Sequence, residues 1–198
     1  MDISELKPIV ESLVFVSSSP LRPERIAEAL ELDRGAILEA LQALQADYQQ
    51  AGRGFVLQQV ADGFQFRTRP EYADWVLRLN RTRPVRFSRA ALEALAIIAY
   101  RQPTTRAEID YLRGVDSGGV LKTLLERHLV RILGKKDVPG KPLIYGTTRE
   151  FLEFFGLRDL ASLPTLREFS DLAPDEVEAA IAAAAEPDPS RDVILDDA

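Results

Sequence analysis

Residues 87–151 read FSRAALEALAIIAYRQPTTRAEIDYLRGVDSGGVLKTLLERHLVRILGKKDVPGKPLIYGTTREF. Ser88 is a good N-cap, and Phe87 and Leu92 are spaced as a hydrophobic staple. Leu92, Leu95, Ala96, Ile98 and Ala99 then form one apolar stripe at helical period. Gln102-Pro103 breaks that helix. Thr105 and Glu108 make a capping box for a second helix, which Gly114 stops after Leu112. Asp116 or Ser117 opens a third, with Val120, Leu121, Leu124, Leu125 and His128 on its inner side. Two β-prone runs follow, Val130–Leu133 and Leu143–Gly146. Their loop holds Pro139-Gly140 and the cations Lys135, Lys136 and Lys141. A last helix covers about 149–155. Three helices and a basic hairpin are the pattern of a winged helix, a helix-turn-helix variant.

Working outward, the preceding chain repeats the order. Helix one runs from Ser4 to about Ser17. Leu6, Ile9, Val10, Leu13, Val14, Phe15 and Val16 make its apolar stripe wide enough for burial on more than one side, which either the core alone or a subunit interface would account for. Pro8 suits only a first turn. After Ser17–Pro20, helix two starts at Pro23 with Leu21 and Ile26 as a staple. Helix three spans about 34–50, with Ile37, Leu38, Leu41, Leu44 and Tyr48 inward. Phe55–Val60 and Phe64–Arg69 read as a hairpin turned by Asp62-Gly63. A short helix, 71–79, carries Tyr72, Trp75, Val76 and Leu79, with Trp75 expected in the core. Pro20 with Pro103, and Ile26 with Ile109, are both 83 residues apart. The fold class is therefore mainly α with small β wings (α+β), as tandem winged-helix domains. We expect an N-terminal domain over 1–80, a C-terminal one over 81–164, and the basic connector 80–86 at the boundary.

Residues 165–198 differ in kind. They hold ten acidic and two basic residues, whereas 78–141 holds 14 basic and 6 acidic. The overall charge of −6 thus hides a basic middle and an acidic tail. Pro174-Asp175-Glu176 starts an Ala-rich helix through Ala185, and Val193-Ile194-Leu195 is a second small apolar group. With so few anchors the tail is expected to be disordered in isolation.

Chemistry-bearing clusters are scarce. The chain has no cysteine, which removes disulfides and thiolate sites and fits an intracellular setting. Neither a signal peptide nor a membrane-spanning run is legible. His128 is the only histidine, so a Ser-His-Asp site would depend on it; a half-buried structural histidine is the simpler reading. No spacing suggests a metal, and the expectation is no cofactor. Gly134-Lys135-Lys136 lacks the glycines of a phosphate loop, and Gly118-Gly119 lacks those of a dinucleotide site. Base readout needs Arg, Asn, Gln or Lys along the third helix. The second unit offers Ser117, Lys122, Thr123, Glu126 and Arg127 there, and the first offers glutamines and glutamate. Arg131, Lys135, Lys136 and Lys141 suit non-specific phosphate contact only. A winged-helix transcription regulator is the competing reading.

Three long runs decide between these readings: AIIAYRQP at 96–103, RAEID with RGV at 106–115, and GKKDVPGKPLIYGTT at 134–148. Residues 4–164 carrying them resemble segregation and condensation protein B (ScpB). The resemblance implies a non-enzymatic, homodimeric, tandem winged-helix protein that binds the kleisin ScpA. Through the kleisin it would join the SMC ATPase in a condensin-like complex for chromosome condensation and partition in cell division. It also implies a cytoplasmic, nucleoid-associated protein whose N-terminal unit dimerises and whose C-terminal unit contacts the kleisin. On that basis Tyr100, Arg106, Arg113, Tyr145 and Arg149 are the candidate kleisin contacts. Leu13, Phe15 and Val16 are the candidate dimer contacts.

Overall fold

The computed structural model describes residues 2–50, 52–80 and 87–165. Most of the connector 80–86 and all but the first residue of the acidic tail lie outside them. The described chain falls into two compact units. One comprises residues 2–80 together with 156–165, and the other comprises 87–155.

The first unit opens with α1 (Ile3–Val16), capped by a reciprocal Asp2–Glu5 box. The helix starts before Ser4, so Pro8 sits in its second turn rather than its first. Proline donates nothing there, and Ser12 Oγ bonds the Pro8 carbonyl at 2.7 Å. Next come α2 (Pro23–Leu30) and α3 (Arg34–Gln50). Then β1 (Phe55–Val60) pairs antiparallel with β2 (Gly63–Thr68). A 3-10 turn, Pro70–Tyr72, leads into α4 (Ala73–Asn80). The core joins Val10 and Val14 of α1, Ile26 of α2, Ile37, Leu41 and Leu44 of α3, and Leu57 and Phe64 of the hairpin. Tyr48, Phe55 and Phe66 close its edge as a tilted aromatic cluster.

The hairpin turn differs from the sequence reading. Ala61 and Asp62 are its two central residues, both at positive φ, while Gly63 begins β2. The reason is tertiary. A Cβ on Gly63 would lie 2.7 Å from the Pro20 carbonyl carbon, so the glycine is needed for close approach. Leu21 bridges to Phe64 beside it. Pro20–Leu21 thus supplies a vestigial first strand.

Residues 156–164, expected in the second unit, pack with the first, as does Thr165. Ala61 N and Asp62 N donate to the carbonyls of Leu157 and Arg158 at 2.9 and 3.2 Å. Gln58 Nε2 donates to the Gly156 carbonyl at 3.0 Å. The outward backbone donors of the turn are satisfied by this returning strap.

The second unit runs α5 (Arg89–Arg101), β3 (Thr104–Thr105), α6 (Arg106–Arg113), α7 (Gly118–Glu126), β4 (Val130–Lys135), β5 (Leu143–Thr147) and α8 (Arg149–Phe155). Its sheet order is β3-β5-β4, all antiparallel. The first unit has the same order with Leu21 in place of β3, and Leu21 lies 83 residues before Thr104. Both units are winged helices. The buried face of α5 is Ala91, Ala94, Leu95, Ile98 and Ala99, so the stripe is turned away from Ala96, which is exposed. Gly146 is required as Gly63 is, because its Cβ would meet Gln102 Oε1 and Leu133 Cδ1 at 2.8 Å. Gln102 is held there by Thr147 N, which donates to Oε1 at 2.8 Å.

Candidate protein-docking surfaces

The expected caps set the geometry of α6. Thr105 Oγ1 accepts from Glu108 N, and Glu108 returns to Thr105 N at 2.7 Å. Gly114 closes the helix at φ 71°. Lys136, at the start of the wing loop, donates to Glu108 Oε1 at 2.7 Å. That lysine first, and the Thr105 bonds second, hold the Glu108 carboxyl at about 2, below its ordinary 4.5. A depressed carboxyl stabilises the fold above the unfolded value near 4.5, and the contribution is lost as pH falls toward about 2. Both side chains are about half exposed, so solvent keeps the effect small. Lys136→Gln should raise the Glu108 titration midpoint, followed by carboxyl NMR. An unchanged midpoint would assign the whole shift to Thr105.

Arg106 crosses the α6–α7 turn. It ion-pairs with Asp116 and, at 3.4 Å, with Asp110. A Cβ on Gly118 would sit 3.0 Å from its guanidinium. Asp110 Oδ1 in turn accepts from Ser117 N at 2.7 Å. Arg113 is buried rather than displayed. Its Nη1 donates to Ser117 Oγ at 2.9 Å, and Nε lies 3.6 Å from Glu93 with no hydrogen bond. Tyr145 is likewise buried, in β5 between β3 and β4. Tyr100 is half-buried. Arg149 stays at the surface and pairs with Glu153 at 3.0 Å. The five candidates therefore separate into surface groups, Arg106 and Arg149, and groups set into the fold, Arg113 and Tyr145, with Tyr100 between.

Sequence reading missed the apolar part of this face. Tyr111, Leu112 and Val115 are 86, 48 and 57% exposed. Tyr111 and Leu112 lie three and four residues from Glu108 and so share one side of α6, while Val115 follows the Gly114 stop. The signal was there: Ile109 alone anchors α6 to the core, and these three residues fall off its side.

The basic wing and α7 are the parts of this unit that could face DNA. Arg131, Lys135 and Lys141 are exposed and make no ion pair among the described residues, while Lys136 is taken by Glu108. On α7, Ser117 is wholly buried, Arg127 stacks on Phe87 at 4.9 Å, and Lys122 lies 3.8 Å from Glu126. Such a helix has no free side chain suited to bidentate base contact. His128 is exposed, not inward, because it leaves α7 in the left-handed region at φ 56°. Its carbonyl accepts from Thr148 Oγ1 at 2.5 Å. Among the described residues no group of three His, Asp or Glu could hold a metal, and no helix is long and apolar enough to cross a membrane.

In the first unit, Phe15 and Val16 are 76 and 78% exposed at the end of α1. Leu13 is half-buried against the core. Phe15 borders a cleft of about 300 Å³ lined also by Glu11, Ser12, Tyr48, Phe55 and Phe66. Tyr48 donates to Glu11 on its floor, and burial with that carboxylate pushes the Tyr48 hydroxyl pKa up. Trp75 was expected inside but is exposed.

Residues 8–166 match the model of the family described as segregation and condensation complex subunit ScpB. Segregation and condensation protein B of Syntrophotalea carbinolica is 62% identical over 88% of this chain and 89% of that protein. Its namesake in Moorella thermoacetica is 47% identical over 82% and 84%. The crystal structure of ScpB from Mycobacterium tuberculosis is 34% identical, covers 79% of this chain and 98% of that one, and gives a TM-score of 0.39.

Proposed function

The chain belongs to the ScpB family of segregation and condensation complex subunits, and on that premise we propose that it is a non-enzymatic docking subunit of a condensin-like complex. It binds a kleisin as a homodimer, reaches the SMC ATPase through that kleisin, and supports chromosome condensation and partition. Its place is the cytoplasm, at the nucleoid. The first unit carries self-association through Phe15 and Val16. The second carries kleisin contact through Arg106, Arg149 and Tyr100, with Arg113 and Tyr145 fixing the helices and sheet beneath them. The observation that supports this most is the outer side of α6, where Tyr111 and Leu112, with Val115 just beyond the helix, stand exposed. Exposed apolar groups rimmed by polar ones mark protein contact sites.

The exposed wing cations Arg131, Lys135 and Lys141, which make no ion pair among the described residues, favour a second, weaker activity, phosphate contact without sequence preference. Retention of the cognate kleisin by the immobilised chain tests the first reading, and no retention would sink it. A mobility-shift series across salt tests the regulator alternative. Binding to one DNA sequence that survives physiological salt would favour the regulator.

A further inference from the structure

β4 is a free edge of the second unit's sheet. It pairs with β5 on one side and with no strand on the other among the described residues. No backbone bond outside that ladder reaches residues 130–135 among them. Outward N–H and C=O groups along such an edge are a template for another strand. Val130 and Ile132 share one face of the sheet with Thr147 and Tyr145, which stand opposite them on β5. Val130, Thr147 and Tyr145 are buried, whereas Ile132 is 47% exposed. The row of packed side chains stops at β4, with no neighbour beyond it to cover Ile132. Leu133, at the bulge that follows, is 43% exposed.

Charge selects what can pair there. Arg131 and Lys135 lie on the strand and Lys141 lies just before β5. All three are exposed and make no ion pair among the described residues. Lysines and a bulge on an edge oppose pairing with a second copy, since two such edges set cation against cation. An incoming strand that carries Asp or Glu meets the same cations with opposite charge. Phosphate would use the cations and leave Ile132 and the free backbone edge without a role.

We propose that the β4 edge docks an extended segment of a partner protein in which apolar residues alternate with Asp or Glu. The segment adds a strand to β4 and is about as long as its six residues. Its apolar side chains cover Ile132 on one face, and its carboxylates meet Arg131 on the other. Lys135 and Lys141 add to the positive field at the strand's end. The site stands whether or not the partner is a kleisin.

The probe is a labelled hexapeptide of alternating valine and glutamate, titrated into the full chain at physiological salt. Fluorescence polarisation reads binding, and amide hydrogen exchange reads its place. We expect saturable binding with exchange slowed at residues 130–135. Arg131→Glu/Lys135→Glu should bind roughly tenfold more weakly, the size of two exposed ion pairs. Both side chains are exposed, and circular dichroism checks that the variant is folded. The same peptide methylated at every backbone nitrogen keeps its side chains but cannot add a strand, so it should not bind. Failure of the unmethylated peptide to bind would overturn the proposal. So would slowed exchange elsewhere instead of at β4, equal binding of the methylated peptide, or an unchanged affinity in the variant. Binding of mixed-sequence duplex DNA but not of the peptide would also overturn it and assign the cations to phosphate.

Discussion

If the chain self-associates through α1 as proposed, Phe15→Asp is expected to leave it a monomer in sedimentation without loss of fold. Phe15 is 76% exposed, so its side chain contributes little to the core of its own chain. In a two-fold interface each substitution acts twice. Burying a phenylalanine is worth about 1.5–3 kcal/mol, so two lost anchors weaken the dimer by roughly a hundredfold or more. Aspartate adds an unpaired charge beside Glu11, which already lines the cleft. Leu13 is not a clean test, since it packs against the core and its loss would act on folding. A dimer that persists in the Phe15 variant places the interface elsewhere.

The second large effect concerns folding. Ile98 is fully buried at the centre of the second unit. Ile98→Ala should cost about 2–5 kcal/mol, most of what a domain of this size has to spare. Each unit has its own core, so the damage should stay local. Trp75 belongs to the first unit and reports its melting alone. We expect far-UV dichroism to show an early transition in the variant while the Trp75 transition stays put. A single transition, lowered for both signals, would mean that the units melt as one.

What the sequence made legible was local. Ser88, Thr105 with Glu108, and Gly114 act within one turn of their own helix, and each is found where its chemistry puts it. The 83-residue offset also held, down to Leu21 and Thr104 occupying the same sheet position. What escaped depends on neighbours distant in sequence. Asp62-Gly63 is a strong turn signal, yet Gly63 is consumed by the approach of Pro20. Trp75 has the period of a core residue and faces out. Arg113 looks like a surface cation and is buried against Ser117 and Glu93. Of the candidate surfaces, the ends of α1 and α6 were half legible. Phe15 and Val16 overfilled a stripe, but Tyr111, Leu112 and Val115 stood out only once Ile109 was seen to be the sole buried anchor of α6.

On the proposed function this chain docks protein near DNA rather than reading DNA itself. The most direct test is calorimetric titration of the full chain with its cognate kleisin at physiological salt, alongside mixed-sequence duplex DNA. Saturable kleisin binding with a defined stoichiometry, beside DNA binding that vanishes at that salt, is the predicted result. Tight, sequence-dependent DNA binding with no heat from the kleisin would contradict it.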